Sequence, residues 1–147
     1  MEKDKEFMEL AIQEAQKCIS TETAFNVGAV LVKDNRTLSV GYSREIEGNT
    51  HAEQCCLLKL KDIQDAKGAT IYTTMEPCGK RLSGNVPCAN LIVDAGIRRV
   101  VQGVREPETF VGESIGTLVL KKAGIIVEYL SGYEDQCLAV NIHLVHK

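Results

Sequence analysis

His51, Glu53, Cys78 and Cys88 are the residues of this chain whose types and spacing could do chemistry together. His51 stands two positions before Glu53 in "GNTHAEQCC". Cys78 and Cys88 each follow a proline in "YTTMEPCGKRLSGNVPCANLIVDAG", residues 72–96, with nine residues between them. One imidazole and two thiolates make a ligand set suited to zinc, at about 2.0–2.3 Å. Three protein ligands leave the fourth tetrahedral position to water, which distinguishes catalytic from structural zinc. Zinc brings the pKa of such a water towards about 7, and Glu53 then has a task, carrying its proton. Each fragment alone says less. Thr50-His51-Ala52-Glu53 also fits a helix capping box, with Glu53 satisfying backbone donors. A single cysteine is more often core packing than a ligand. The joint pattern points to one zinc per chain. Cys18, Cys55, Cys56 and Cys137 read as core thiols, although Cys55 or Cys56 could close the fourth position in a purely structural site.

The elements that would position these residues follow from hydrophobic periodicity. Residues 4–19 carry Phe7, Met8, Ala11, Ile12, Ala15 and Ile19 at helical spacing. "VGAVLV" (27–32) is an apolar run buried on both faces, and Asp34-Asn35-Arg36 turns it into "TLSVGY" as a hairpin. "HAEQCCLLKLKDI" predicts a helix with Ala52, Cys56, Leu60 and Ile63 on one face. "ATIYTT" (69–74) is a strand, "PCANLIVDAG" a short helix, and "RRVVQGV" (98–104) and "GIIVEYL" (124–130) two more strands. "SIGTLVLKKAG" is a helix closed by Gly124, and 134–147 a last amphipathic helix with Leu138, Ile142 and Val145. Helical crossovers imply parallel neighbours. The expected fold is α/β: a five-stranded mixed sheet in a three-layer α/β/α sandwich. His51 and Cys88 then open two helices, whose positive ends favour thiolate and hydroxide.

At 147 residues, 44% hydrophobic and 25% charged, one soluble domain spanning 1–147 is expected. No apolar run reaches membrane-spanning length and nothing reads as a signal peptide, so the expected location is the cytoplasm, or the nucleus. Net charge is −3, with Lys/Arg scattered apart from Lys80-Arg81 and Arg98-Arg99. That balance argues against a nucleic-acid partner, whose affinity would come from phosphate neutralisation, and favours a small substrate.

The constellation resembles the zinc nucleobase deaminases of the cytidine-deaminase-like superfamily, which carry H-x-E and P-C-x-x-C with a non-ligating glutamate. "HAE" and "EPC" match, while the gap between the cysteines is nine residues rather than two. Such a lengthened loop resembles the pyrimidine deaminases of riboflavin biosynthesis. "FNVGAVLV", "GYSREIEGNTHAEQC", "TTMEPCGKRLSGNVPC" and "GVREPETFVGESIGTLVLKKAGIIVEY" are similar to the fungal-type form, over residues 8–136. The resemblance implies hydrolytic removal of an amino group from a diaminopyrimidinone ribityl (or ribosyl) 5′-phosphate, with release of ammonia. It implies a deaminase domain alone, with no reductase, and a homodimer. It also implies that His51, Cys78 and Cys88 hold zinc, that Glu53 shuttles protons, and that Asn26 and Ala52 contact substrate. Lys80 and Arg81, with Ser83 and Asn85, are the candidates for the phosphate, and Arg44 and Asn49 follow them. Other readings are a cytosine or tRNA deaminase of the same fold, or a non-catalytic zinc module.

Overall fold

The computed structural model describes residues 2–19, 25–48, 50–75, 77, 87–104 and 115–141. Its elements are α1 (Glu2–Ala15), β1 (Gly28–Lys33), β2 (Arg36–Tyr42), α2 (Ala52–Leu58), β3 (Thr70–Met75) and α3 (Cys88–Asp94). They continue with β4 (Arg99–Val104), α4 (Ile115–Lys122), β5 (Ile126–Tyr129) and α5 (Glu134–Ala139). The five strands lie in the order β2-β1-β3-β4-β5. β1 runs antiparallel to both β2 and β3, and the β3–β4 and β4–β5 pairs are parallel. The parallel steps are the ones joined through α3 and α4, since a tight turn cannot connect parallel strands. The β1–β2 hairpin turns on Asp34 and Asn35, both at positive φ (53° and 63°). A two-residue hairpin loop demands that conformation, and Asp and Asn tolerate it.

Period-two alternation divides the strands between two cores. Ala29, Leu31, Ile71 and Val100 pack with Ala52, Cys56 and Leu57 of α2, Ala89 and Ile92 of α3, and Leu120 of α4. Val30, Val32, Tyr72 and Val101 face the other way, against Met8, Ala11 and Ile12 of α1 and Cys137 of α5. The expected three-layer α/β/α sandwich is the fold observed.

The differences lie at helix ends. The predicted second helix stops at Leu58; Ile63 belongs to a separate 3-10 turn, Ile63–Ala66, and is 46% exposed. Leu60 still packs on the core from outside the helix, which is why helical periodicity persists beyond the helix itself. α1 ends at Ala15, and Ile19, expected on its apolar face, is 85% exposed. α5 covers only Glu134–Ala139, with Cys137 rather than Leu138 as its buried residue; Ile142 and Val145 lie outside the described residues.

At the end of the sheet where β3 and β4 begin, Arg99 ties three elements together. Its Nη1 and Nη2 donate to the two Asp4 oxygens at 3.0 and 2.8 Å, and its Nε donates to Glu128. Tyr72 Oη also donates to Asp4. An open cavity of about 630 Å³ lies over this cluster.

Candidate functional site

The other end of the sheet carries the chemistry. In sheets with parallel strands, ligands bind beyond the carboxyl ends, and there β3 leads towards Pro77. The charged cavity lies at the opposite end and holds none of the candidate residues.

α2 is seated against β2 by Gly41. A Cβ built there would lie 2.4 Å from the Ala52 carbonyl oxygen and 2.9 Å from the Cys56 nitrogen, so only glycine permits this approach. His51 caps α2 in an extended conformation (φ −93°, ψ 160°), and its N–H donates to Gln54 Oε1 at 3.3 Å. The glutamine, not Glu53, performs the return half of the cap. Thr50 is committed elsewhere: its hydroxyl bridges the N–H and C=O of Ile46. The Thr50–Glu53 capping box expected as an alternative is therefore not formed, and capping does not account for Glu53. That side chain sits in the first turn of α2, 3% exposed.

Cys88 opens α3 after Pro87, whose carbonyl accepts from the N–H groups of Asn90 and Leu91 at 3.1 Å. The Cys88 thiol is fully buried, and its Sγ lies 3.4 Å from His51 Nδ1. Two ligands on one tetrahedral zinc, at bond lengths of about 2.0 and 2.3 Å, stand about 3.5 Å apart. The donor pair thus fits the metal in type and in separation. No cluster of three metal-binding side chains occurs among the described residues; Cys78, the expected third ligand, lies outside them.

The neighbouring thiols are accounted for as packing. Cys56 Sγ donates to the Ala29 carbonyl at 3.3 Å across the α2–β1 interface, and burial, aided by the Glu53 charge, holds its pKa well above the ordinary range. Cys55 and Cys137 are fully buried, and burial pushes Cys137 up to about 12. Cys18 is half-buried against the Val27 carbonyl.

Among the expected substrate contacts, Ala52 is the first residue of α2, where a main-chain N–H has no intrahelical acceptor. Asn26, just before β1, is 3% exposed; its Nδ2 donates to Val140 O at 3.0 Å and its Oδ1 accepts from Arg44. The Arg44 guanidinium also reaches the Phe25 and Ile19 carbonyls, both at 3.2 Å. Asn49, Lys80, Arg81, Ser83 and Asn85 lie outside the described residues. Sequence reasoning passed over Gln102, whose carboxamide is fully buried with neither polar atom hydrogen-bonded among the described residues. Its signal was available: one amide inside the apolar run of β4.

A histidine and a buried cysteine meeting at two helix starts over a mixed sheet define a candidate metal site on an α/β scaffold. The chain belongs to the family described as the cytidine and deoxycytidylate deaminase zinc-binding region, whose model matches residues 1–104. Within it, the chain is 49% identical over 137 residues to a diaminohydroxyphosphoribosylamino-pyrimidine deaminase of Schizosaccharomyces pombe, covering 91% of this chain and 34% of that protein. The Rib2 deaminase of Aspergillus oryzae, a C-terminal deletion mutant solved at pH 4.6, superposes with a TM-score of 0.81 at 38% identity, covering 93% of this chain and 89% of that one. The same enzyme solved in complex with DARIPP gives 0.80 at 36% identity, over 94% and 89% of the two chains. The chain spans about a third of the length of the curated relatives it matches first.

Proposed function

We propose that this chain catalyses hydrolytic deamination of a diaminopyrimidinone bearing a ribityl or ribosyl 5′-phosphate, a step of riboflavin biosynthesis that releases ammonia. The observation that carries the reading is the 3.4 Å approach of Cys88 Sγ to His51 Nδ1, with Glu53 buried in the first turn of the helix that His51 caps. The likeness to a deaminase solved with DARIPP supports the substrate class.

In this reading His51, Cys88 and Cys78 hold one zinc per chain. When bound, the metal supplies the Lewis acid that makes water a nucleophile near neutral pH. Glu53 takes a proton from the attacking water and returns protons to the ring nitrogen and the departing amine. The amino group leaves as ammonia, and a carbonyl replaces it. Burial keeps bulk water from competing for those protons. Asn26 and the Ala52 backbone address the pyrimidinone edge, which presents both donors and acceptors. Lys80 and Arg81, supported by Ser83 and Asn85, hold the phosphate remote from the reacting carbon. The 147 residues act as one domain, in a homodimer.

Ammonia release by the zinc-loaded protein tests this, with ribityl- and ribosyl-aminopyrimidine phosphates set beside cytosine and cytidine. Turnover confined to the aminopyrimidine phosphates is expected. Preference for cytosine or cytidine, or no turnover of any of the four, would overturn it.

A further inference from the structure

Asn26 is gripped at four atoms by residues remote from it in sequence. Its backbone N–H donates to Asn141 Oδ1, and Asn141 Nδ2 donates back to the Asn26 carbonyl at 2.9 Å. In the side chain, Nδ2 donates to Val140 O and Oδ1 accepts from Arg44 Nη2. A guanidinium can only donate, and a main-chain carbonyl can only accept. The carboxamide therefore cannot turn over: Oδ1 must face Arg44, and Nδ2 must face Val140.

Arg44 is itself fixed. It sits at φ 63°, a left-handed conformation that a non-glycine residue adopts at a cost. Its N–H donates to Thr50 O at 2.7 Å, and its guanidinium holds the Phe25 and Ile19 carbonyls. Thr50 immediately precedes His51. One run of contacts thus passes from the end of α5, through Asn26 and Arg44, to the residue before a candidate metal ligand.

We propose that Arg44 and Asn141 are positioning residues: Arg44 fixes the orientation of the Asn26 carboxamide, Asn141 fixes the Asn26 main chain that carries it, and together they set its placement relative to His51. Arg44 does this in place of contacting the phosphate. The inference rests on the deaminase reading where it gives Asn26 a substrate to meet. A pyrimidinone edge offers donors and acceptors in a set order. An amide presented with oxygen and nitrogen exchanged would leave both partners unpaired, the condition by which hydrogen-bonding sites reject a wrong partner. Holding the amide in one orientation removes that half of its conformations before binding.

Kinetics and NMR of the full chain test the clamp. Arg44→Met and Asn141→Leu should each lower kcat/KM on the aminopyrimidine phosphate by on the order of 10- to 100-fold, with zinc content unchanged. Asn141→Asp, which keeps the side chain's size and its acceptor, serves if Asn141→Leu does not fold. In an Asn26→Ala background the same substitutions should change kcat/KM by less than about twofold, because nothing remains to be oriented. Equal losses in both backgrounds would overturn the positioning role. Arg44→Met should also affect phosphorylated and dephosphorylated substrates alike; a loss confined to the phosphorylated form would return Arg44 to the phosphate. The side-chain amide protons of Asn26 read the clamp without turnover. They should exchange slowly in the parent and faster in the Arg44 and Asn141 variants, and unchanged exchange would overturn the proposal even in an inactive chain. A parent that deaminates none of these compounds would instead defeat the deaminase reading alone.

Discussion

Replacing Gly41 with alanine should damage the chemistry through packing alone. The added Cβ would lie 2.4 Å from the Ala52 carbonyl oxygen, roughly 1 Å inside the 3.4 Å of ordinary contact. Both nearest atoms, Ala52 O and Cys56 N, are main chain, so no side chain can rotate aside. Either α2 or β2 must move. Overpacking of this kind typically costs about 1–3 kcal/mol, and in a domain of this size each kcal/mol lowers Tm by about 2–4 °C. The catalytic effect should be larger than the stability effect implies. His51 caps α2 and Glu53 lies in its first turn, so a shift of about 1 Å moves both relative to Cys88. Displacements on that scale can cost about 10²-fold in rate. Thermal melting, zinc content and kcat, all measured on the same preparation well below its Tm, separate the two effects. A variant that melts and turns over like the parent would refute the packing argument. A lower Tm with parental kcat would refute the link from α2 placement to the reaction.

Glu53→Gln should retain zinc and lose about 10²–10⁴-fold in kcat, the usual worth of general acid–base help; normal turnover would leave the residue without a catalytic role. Gln102→Met removes a buried amide that no described residue hydrogen-bonds, so it should stabilise the fold by about 1–3 kcal/mol, and a lower Tm would show that the amide is serving a partner. The Arg99 hydrogen bonds hold the Asp4 carboxyl below its usual 3.8, against the opposing effect of burial. A carboxyl with a lowered folded pKa adds stability above its unfolded pKa and loses it as pH falls through the folded value. The Tm gap between the parent and Asp4→Asn should therefore be full at neutral pH and shrink below about pH 4; a gap independent of pH would refute the pairing. Alanine at both Lys80 and Arg81 should weaken the phosphorylated substrate and spare its dephosphorylated analogue, and equal effects on the two would place the phosphate elsewhere.

How much of this was legible in the sequence depends on the range over which each signal acts. Strand alternation and helix-closing residues are local, and they gave the five strands and the helices between them. Gly96 and Gly124, at φ 75° and 85°, follow the ends of α3 and α4 where a left-handed residue is needed. The ends of α1 and α2 were misplaced for one reason. An apolar residue at helical spacing states a preference for burial but not whether the backbone is still helical when it gets there. Leu60 reaches the core from outside α2, while Ile19, although apolar, leaves its side chain in solvent. The Ile19 carbonyl is nevertheless an acceptor for Arg44. The main-chain contact is one that hydrophobic patterning does not report.

The ligand pair and the groups that orient the site differ in the same way. His51 and Cys88 were recognisable because their chemistry requires particular residue types, and each stands at a helix start with its own local signature. Their meeting at 3.4 Å follows from α2 and α3 covering the same face of the sheet. Asn141 carries no comparable signature: an asparagine after a short helix is an ordinary turn former. It acquires its part only when α5, on the opposite face, brings its C-terminal end to the residue preceding β1 by two positions. The metal ligands are thus approached from one layer of the sandwich, while Asn26 is set from the other. Asn26, just before β1, and the Arg44–Thr50 contact that follows from it link the α5 side to the start of α2. A substitution in α5 should on this account alter substrate handling while leaving the metal in place.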